Sequence, residues 1–325
     1  HRFPKKCELL IEGSWPPGSL RVRHGLPACF PVGLEGLFAA PQNAVCGVVA
    51  GFPVGEARGH ATQQLQAFAD KARALELAVH LEISSTRKAD VDQVVAIARA
   101  LGTRNIRVYS RYEGTLSHVM DVIETDLHYL AQQADEHDLF FDFEQHEELK
   151  SNEIAQLLSR LNHPRLHALF DFGNMINACE QPLPALRNLA PHIRQVHLKG
   201  VRVVPEHNGF GHYGVLQGSA EDDLPSARML YELLMLGDTA PQVIAFILEQ
   251  ENHYVAPAFR QQQEAADPFI AYREMSETAL PQGFSLERML ADEHRWANNQ
   301  VAYVRGLLAE FRTLAELTLA HDNHA

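Results

Sequence analysis

Three times between Leu139 and Gly200 a short apolar run ends on a side chain that can ligate a metal ion. Leu139–Phe143 leads to Glu144, Leu166–Phe170 to Asp171, and Ile193–Val196 to His197. Successive runs lie about one strand–helix unit apart. Between the first two, Ile154, Leu157, Leu158 and Leu161 recur at helical spacing, and Leu183, Leu186 and Leu189 suggest a shorter helix before the third. Strand, helix and neighbouring parallel strand bring all the strand C-termini to one edge of a sheet, so groups at those ends converge although they are distant in sequence. A fourth run, Val243–Leu248, ends at Glu249 and completes the set. A carboxylate that closes an apolar run is costly to bury unless it is paired or metal-bound. The competing reading places each group at a solvated strand end, and it weakens when four strands present ligand types at the same end. One imidazole and three carboxylates form a hard, oxygen-rich set. It suits one divalent ion, Mn2+ or Mg2+ before Co2+ or Zn2+, better than a thiolate zinc site would.

The same alternation extends over most of the chain. The segments CELLIE (7–12), VCGVVA (45–50), LAVHLEI (77–83), NIRVYS (105–110), LFFDF, LHALF, IRQVH and VIAFIL read as eight strands separated mostly by helices. Helical patterns cover His60–Leu77, Asp90–Leu101 with Gly102 as its stop, Leu116–Ala134 and Pro225–Leu236. Eight alternating units predict an α/β fold, a closed (β/α)8 barrel forming one domain over residues 1–325, with a long C-terminal helix over about 285–320. An open doubly wound sheet is the rival, and no GxGxxG or GxxxxGK[ST] run follows a strand to support its nucleotide-binding form. The first sixty residues are the least regular, with a Pro- and Gly-rich stretch between their two strands. Residues 205–224, with four glycines and no sustained periodicity, read as a loop over the mouth. Residues 255–284 read as a polar segment, and Ser285 as a weak cap of the last helix.

Charge narrows the partners. Acids outnumber bases 41 to 28, for a net charge of −13, which argues against nucleic acid. No apolar run is long enough for a transmembrane helix, and no signal-peptide pattern opens the chain, so a cytoplasmic protein without a membrane partner is expected. Cys7, Cys29, Cys46 and Cys179 have no CxxC spacing and read as reduced thiols.

The motifs FEQHE, FDFGN, QVHLKG and FILEQE resemble those of the xylose-isomerase-like barrels, the sugar isomerase and epimerase superfamily that also includes abasic-site endonucleases. IRVYSRYEG (106–114) and GFGHYGVLQGSAEDD, which ends in Asp223, are similar to further family segments, and the resemblance spans roughly residues 75–255. It implies that Glu144, Asp171, His197 and Glu249 hold the metal and that Glu144 and Glu249 face each other across the substrate as catalytic acid and base. It also implies a small carbohydrate substrate and a barrel able to form a homo-oligomer through its outer helices. Departures are Gly200 after Lys199 where an Asp is common, Gln145 for Asn, and Asn174 where ketose epimerases have a substrate-contacting His. Glu251 competes with Glu249 for the last ligand position.

Other candidates for substrate contact are His80, an inward group or a core histidine, and His146, a contact or a bystander. Arg107 and Arg111, with Lys199 and Arg202, flank the mouth ends of two strands; they hold an anionic substrate or make ordinary ion pairs. His207 and His212 are lid residues or have no role, and Trp296, Val301 and Leu308 are core or dimer contacts. The leading function is a metal-dependent isomerase or epimerase of a small sugar, keto-sugar or sugar acid, working through an enediolate. A lyase on the same scaffold, decarboxylating a 3-oxo sugar acid or dehydrating an inosose, is the alternative. A phosphodiesterase and a non-catalytic binding barrel are weaker ones.

Overall fold

The computed structural model describes residues 8–12, 21–23, 47–51, 62–75, 77–249, 251–271, 273 and 286–322. Cys7, Cys29, Cys46, Ser285 and residues 274–284 of the polar segment lie outside them.

Each predicted apolar run contains a strand. In chain order the strands are β1 (Glu8–Glu12), β2 (Arg21–Arg23), β3 (Gly47–Gly51), β4 (Ala78–Ile83), β5 (Asn105–Val108), β6 (Gly114–Thr115) and β7 (Phe140–Glu144). There follow β8 (Leu166–Asp171), β9 (Ile193–Leu198), β10 (Gly200–Glu206), β11 (Gly209–Val215), β12 (Ala245–Glu249), β13 (Val255–Ala256) and β14 (Phe269–Ile270). The helices are α1 (Thr62–Ala74), α2 (Lys88–Leu101), α3 (Leu116–His137), α4 (Ser151–Leu161), α5 (Asn174–Asn177), α6 (Pro182–Leu189), α7 (Ser226–Leu234) and α8 (Leu286–Asp322). Eight strands pair in parallel in the order β1-β12-β9-β8-β7-β5-β4-β3, and β2 adds antiparallel to β3. β3 comes up against β1, so the sheet curls onto itself as a (β/α)8 barrel, not an open doubly wound sheet.

Side-chain parity along the strands sorts the interior from the outer core, because successive residues point to opposite faces. Phe141 and Phe143, Ala168 and Phe170, Val196 and Leu198, Phe246 and Leu248 belong to the large apolar core. The alternate positions turn inward, where Leu169, Ala245 and Ile247 form a small separate cluster. The helices bury the faces their spacing dictates, as α4 does with Ile154, Leu157 and Leu158. Gly102 closes α2 with φ 70°, the left-handed cap that the sequence predicts.

One sequence expectation is corrected. Much of the supposed loop at 205–224 is an antiparallel hairpin, β10 with β11, whose second strand also pairs with β13. Glycine and proline are poor strand formers, so the segment scores as loop, yet the glycines here allow close backbone approach. Within the polar segment, β13 joins that hairpin and β14 pairs with β6. The last helix packs on the barrel: Trp296, Val301 and Val304 are buried, and Gln300 Nε2 donates to the Leu198 carbonyl at 2.7 Å.

Candidate metal centre

Glu144, Asp171, His197 and Glu249 come from β7, β8, β9 and β12, four strands consecutive in the sheet. Parity turns each inward near its strand's C-terminal end. Glu144, Asp171 and His197 are buried, and each has a ligand-type atom within 4.8 Å of the others'. His197 Nδ1 lies 3.5 Å from Glu144 Oε1, 3.7 Å from Asp171 Oδ2 and 3.4 Å from Glu249 Oε2. Glu249, not Glu251, is therefore the glutamate of this segment beside the imidazole.

The donor set fits a divalent cation. On its far side His197 Nε2 meets Glu82 Oε1 at 3.2 Å. An N–H donated there turns the Nδ1 lone pair toward the three carboxylates, the carboxylate–histidine arrangement that orients a ligating imidazole. Acceptor atoms of Glu144, Asp171 and His197 then share one buried point with Glu249 Oε2 beside the imidazole, an arrangement that a hard cation satisfies. Among these side chains alone the electrostatics take up protons instead. Burial raises the Asp171 carboxyl and the Glu249 and Glu144 carboxylates push it further, against the pull of Lys199. Burial opposes the His197 imidazolium, but Glu249 and Glu144 outweigh it and hold the ring well above its ordinary range. Glu144 goes the other way: burial raises it, and Arg107 and His197 more than reverse this.

Arg107 Nε lies 2.8 Å from Glu144 Oε2, and its Nη2 lies 3.3 Å from Glu82. Lys199, almost fully buried, places Nζ 2.9 Å from Asp171, 2.6 Å from Glu249 and 2.7 Å from Glu251. Asn174 donates Nδ2 to Glu144 Oε1 at 3.3 Å, while the backbone N–H groups of Gly173 and Asn174 hold Asp171 Oδ1 at 2.7 and 2.8 Å. His146 stacks on Tyr109 at 3.9 Å at the rim, with Glu147 3.4 Å from its Nδ1.

Two predicted residues lie elsewhere. His80, two residues before Glu82 on β4, belongs to a polar floor: its Nδ1 bonds Gln195 Oε1 at 2.8 Å, and Gln195 in turn donates to Asp142. Arg202 is exposed on the hairpin, stacked over Tyr213 and 3.3 Å from Glu221. It lines a surface cavity with Trp296 and Asp292 rather than joining the carboxylates. His207 is exposed at the hairpin turn. His212 is buried between Asn177 Oδ1 (2.7 Å) and Glu251 Oε2 (3.0 Å).

Sequence reasoning missed Glu82. The signal was present, because an inward His80 makes the residue two places on inward as well. Glu251, rather than rivalling Glu249 beside the imidazole, joins Lys199 to His212.

Residues 50–267 match the xylose isomerase-like TIM barrel family, and the chain belongs to it. It is 44% identical over 259 residues to the uncharacterised protein YihM of Escherichia coli (strain K12), covering 80% of this chain and 79% of that one. A xylose isomerase domain protein from Planctomyces limnophilus has a similar fold, with a TM-score of 0.62 at 16% identity over 87% of this chain and 94% of that one. An L-ribulose 3-epimerase superposes with a TM-score of 0.56 at 16% identity over 90% and 95% of the two chains. No described helix is long and apolar enough to cross a membrane.

Proposed function

We propose that the chain is a divalent-metal-dependent isomerase or epimerase of a small sugar, keto-sugar or sugar acid, acting by proton transfer through an enediolate. The observation that carries this reading is the convergence of Glu144, Asp171 and His197 from three neighbouring strands onto one buried point, with Glu249 from the next strand 3.4 Å from the same imidazole nitrogen. Family membership and the likeness to an L-ribulose 3-epimerase fold support it.

These four side chains would hold the ion, Mn2+ or Mg2+ by the hardness of the set. When bound, it supplies Lewis acidity that makes a C–H beside a carbonyl easier to ionise. Glu144 and Glu249 occupy the outer two of the four strands, so they flank a substrate lying over the mouth. One carboxylate takes the proton from carbon, and the other, in its acid form, returns one to the opposite face or to the neighbouring carbon. Each has a buried cation beside it, Arg107 for Glu144 and Lys199 for Glu249. Those cations fix the carboxylates' orientation, and Arg107 favours the ionised form of Glu144. Asn174 adds a donor to Glu144.

The test is deuterium exchange. The metal-loaded protein is incubated with a panel of ketoses in D2O and the sugars are examined by NMR and mass spectrometry. Deuterium should enter at a carbon next to the carbonyl, and Glu144→Gln and Glu249→Gln should each lower the exchange rate by at least about 100-fold. Unchanged exchange in both variants would remove the acid and base assignments. Release of CO2 or water would move the chain to the lyases.

A further inference from the structure

We propose that the mouth selects a neutral polyhydroxylated substrate, an unphosphorylated ketose without a carboxylate, and excludes sugar phosphates and sugar acids. This rests on the reading of the mouth as a carbohydrate site and narrows it by charge.

The cations there are already committed. Arg107 faces Glu82 and Glu144, and Lys199 faces Asp171, Glu249 and Glu251. His146 lies between Glu147 at 3.4 Å and Glu148 at 3.9 Å. Arg111 stacks on Tyr109, donates to its hydroxyl at 3.2 Å, and feels the charges of Glu147 and Glu148. His212 is bonded to Glu251. Arg202, which sequence position would bring to the mouth, is turned to the outer face of the hairpin.

The totals agree with the pairings. The seven carboxylates named above face three fixed cations. A divalent ion raises the positive count only to five against those seven. An anionic substrate would therefore enter a low-dielectric cleft that offers it no surplus of positive charge.

The hydrogen-bonding character points the same way. Glu147 accepts from Tyr254 and Glu148 from Ser110, each at 3.2 Å, and both retain further acceptor capacity. A phosphate or carboxylate brings only more acceptors to such a wall, whereas sugar hydroxyls bring donors.

Calorimetric titration of the protein at saturating Mn2+ with sorbitol, sorbitol 6-phosphate and gluconate tests this at about 20 mM and about 200 mM NaCl. Sorbitol should bind at least about tenfold more tightly than either anion. Its affinity should be flat with salt, while that of the anions should fall further at low salt. Glu147→Gln and Glu148→Gln, checked for folding by circular dichroism, should each improve anion binding several-fold. Anions that bind as tightly as sorbitol, or more tightly at low salt, overturn the proposal, as does the absence of saturable sorbitol binding. Deuterium exchange separates this from the functional reading. Exchange confined to a phosphorylated ketose defeats the charge selection and leaves proton transfer standing. Sorbitol binding without exchange on any ketose defeats proton transfer and leaves the charge selection standing.

Discussion

At the scale of single residues, the mouth is a place where burial and charge act on each carboxylate separately. Glu147 and Glu148 are neighbours, yet they respond in opposite ways. Burial raises Glu147, but His146 and Arg111 reverse this and bring it down to about 2. Burial also raises Glu148, and there the cations only partly offset it, leaving it at about 7. A carboxyl whose folded value is raised contributes stability that is fully present below its unfolded value, near 4.5, and lost as pH rises through about 7. Urea unfolding should therefore show the protein losing on the order of 3 kcal/mol relative to Glu148→Gln between those pH values. Parallel stability profiles for the two proteins would contradict that. None of this was legible in HEEL, where two adjacent glutamates look alike. Both feel His146 and Arg111, but the fold brings the imidazole closer to Glu147, at 3.4 Å against 3.9 Å, with a hydrogen bond to it alone, while the charge of Glu147 pushes Glu148 further up.

At the scale of elements, the barrel strands were readable and the hairpin was not. The strands announce themselves because one face packs on helices and the other turns inward, so β-rich runs such as LHALF stand out from their surroundings. The β10–β11 hairpin carries its signal in glycines, which weaken the strand pattern while making the packing feasible. At Gly214 an added Cβ would meet the Glu251 carbonyl oxygen at 1.7 Å, so the backbone of β11 lies directly against the segment that carries Glu251. Gly214→Ala must push the two apart and move Glu251 away from Lys199 and His212. A loss of roughly 1–3 kcal/mol in unfolding free energy is expected, as for other overpacked sites, together with weaker Mn2+ binding. Gly306→Ala on α8 is the matched control, because nothing lies within 4 Å of its added Cβ. It should be neutral or stabilising by up to about 1 kcal/mol, since glycine disfavours helix interiors. Equal stability of the two variants would show that the hairpin is not held by close approach at Gly214.

At the scale of the whole molecule, the sequence shows which strand ends carry ligand types, but it does not show what balances them. Counting from β4 to β12, parity places Glu82, Arg107, Glu144, Asp171, His197, Lys199 and Glu249 in one enclosed space, and only two of these are fixed cations. Sequence spacing says that groups share a mouth, while the pairing of Arg107 with Glu144 and of Lys199 with Glu249 depends on barrel curvature and side-chain reach. The surplus of carboxylates in this space has a thermodynamic consequence for the whole fold. With protein groups alone, Asp171 is raised and His197 is held well above its ordinary range, so the folded site carries protons that a cation must displace. Mn2+ titrations near neutral pH, run in buffers of different ionisation enthalpy, should give heats that vary with the buffer and correspond to release of about one proton or more. The apparent affinity should fall as pH falls, and saturating Mn2+ at about 100 times its Kd should add about 2.7 kcal/mol to unfolding. Heats independent of buffer would mean that the carboxylates are already ionised and His197 already neutral before the ion arrives. The balancing charge would then have to come from Arg107 and Lys199, and the claim that this space requires a divalent cation would fail with it.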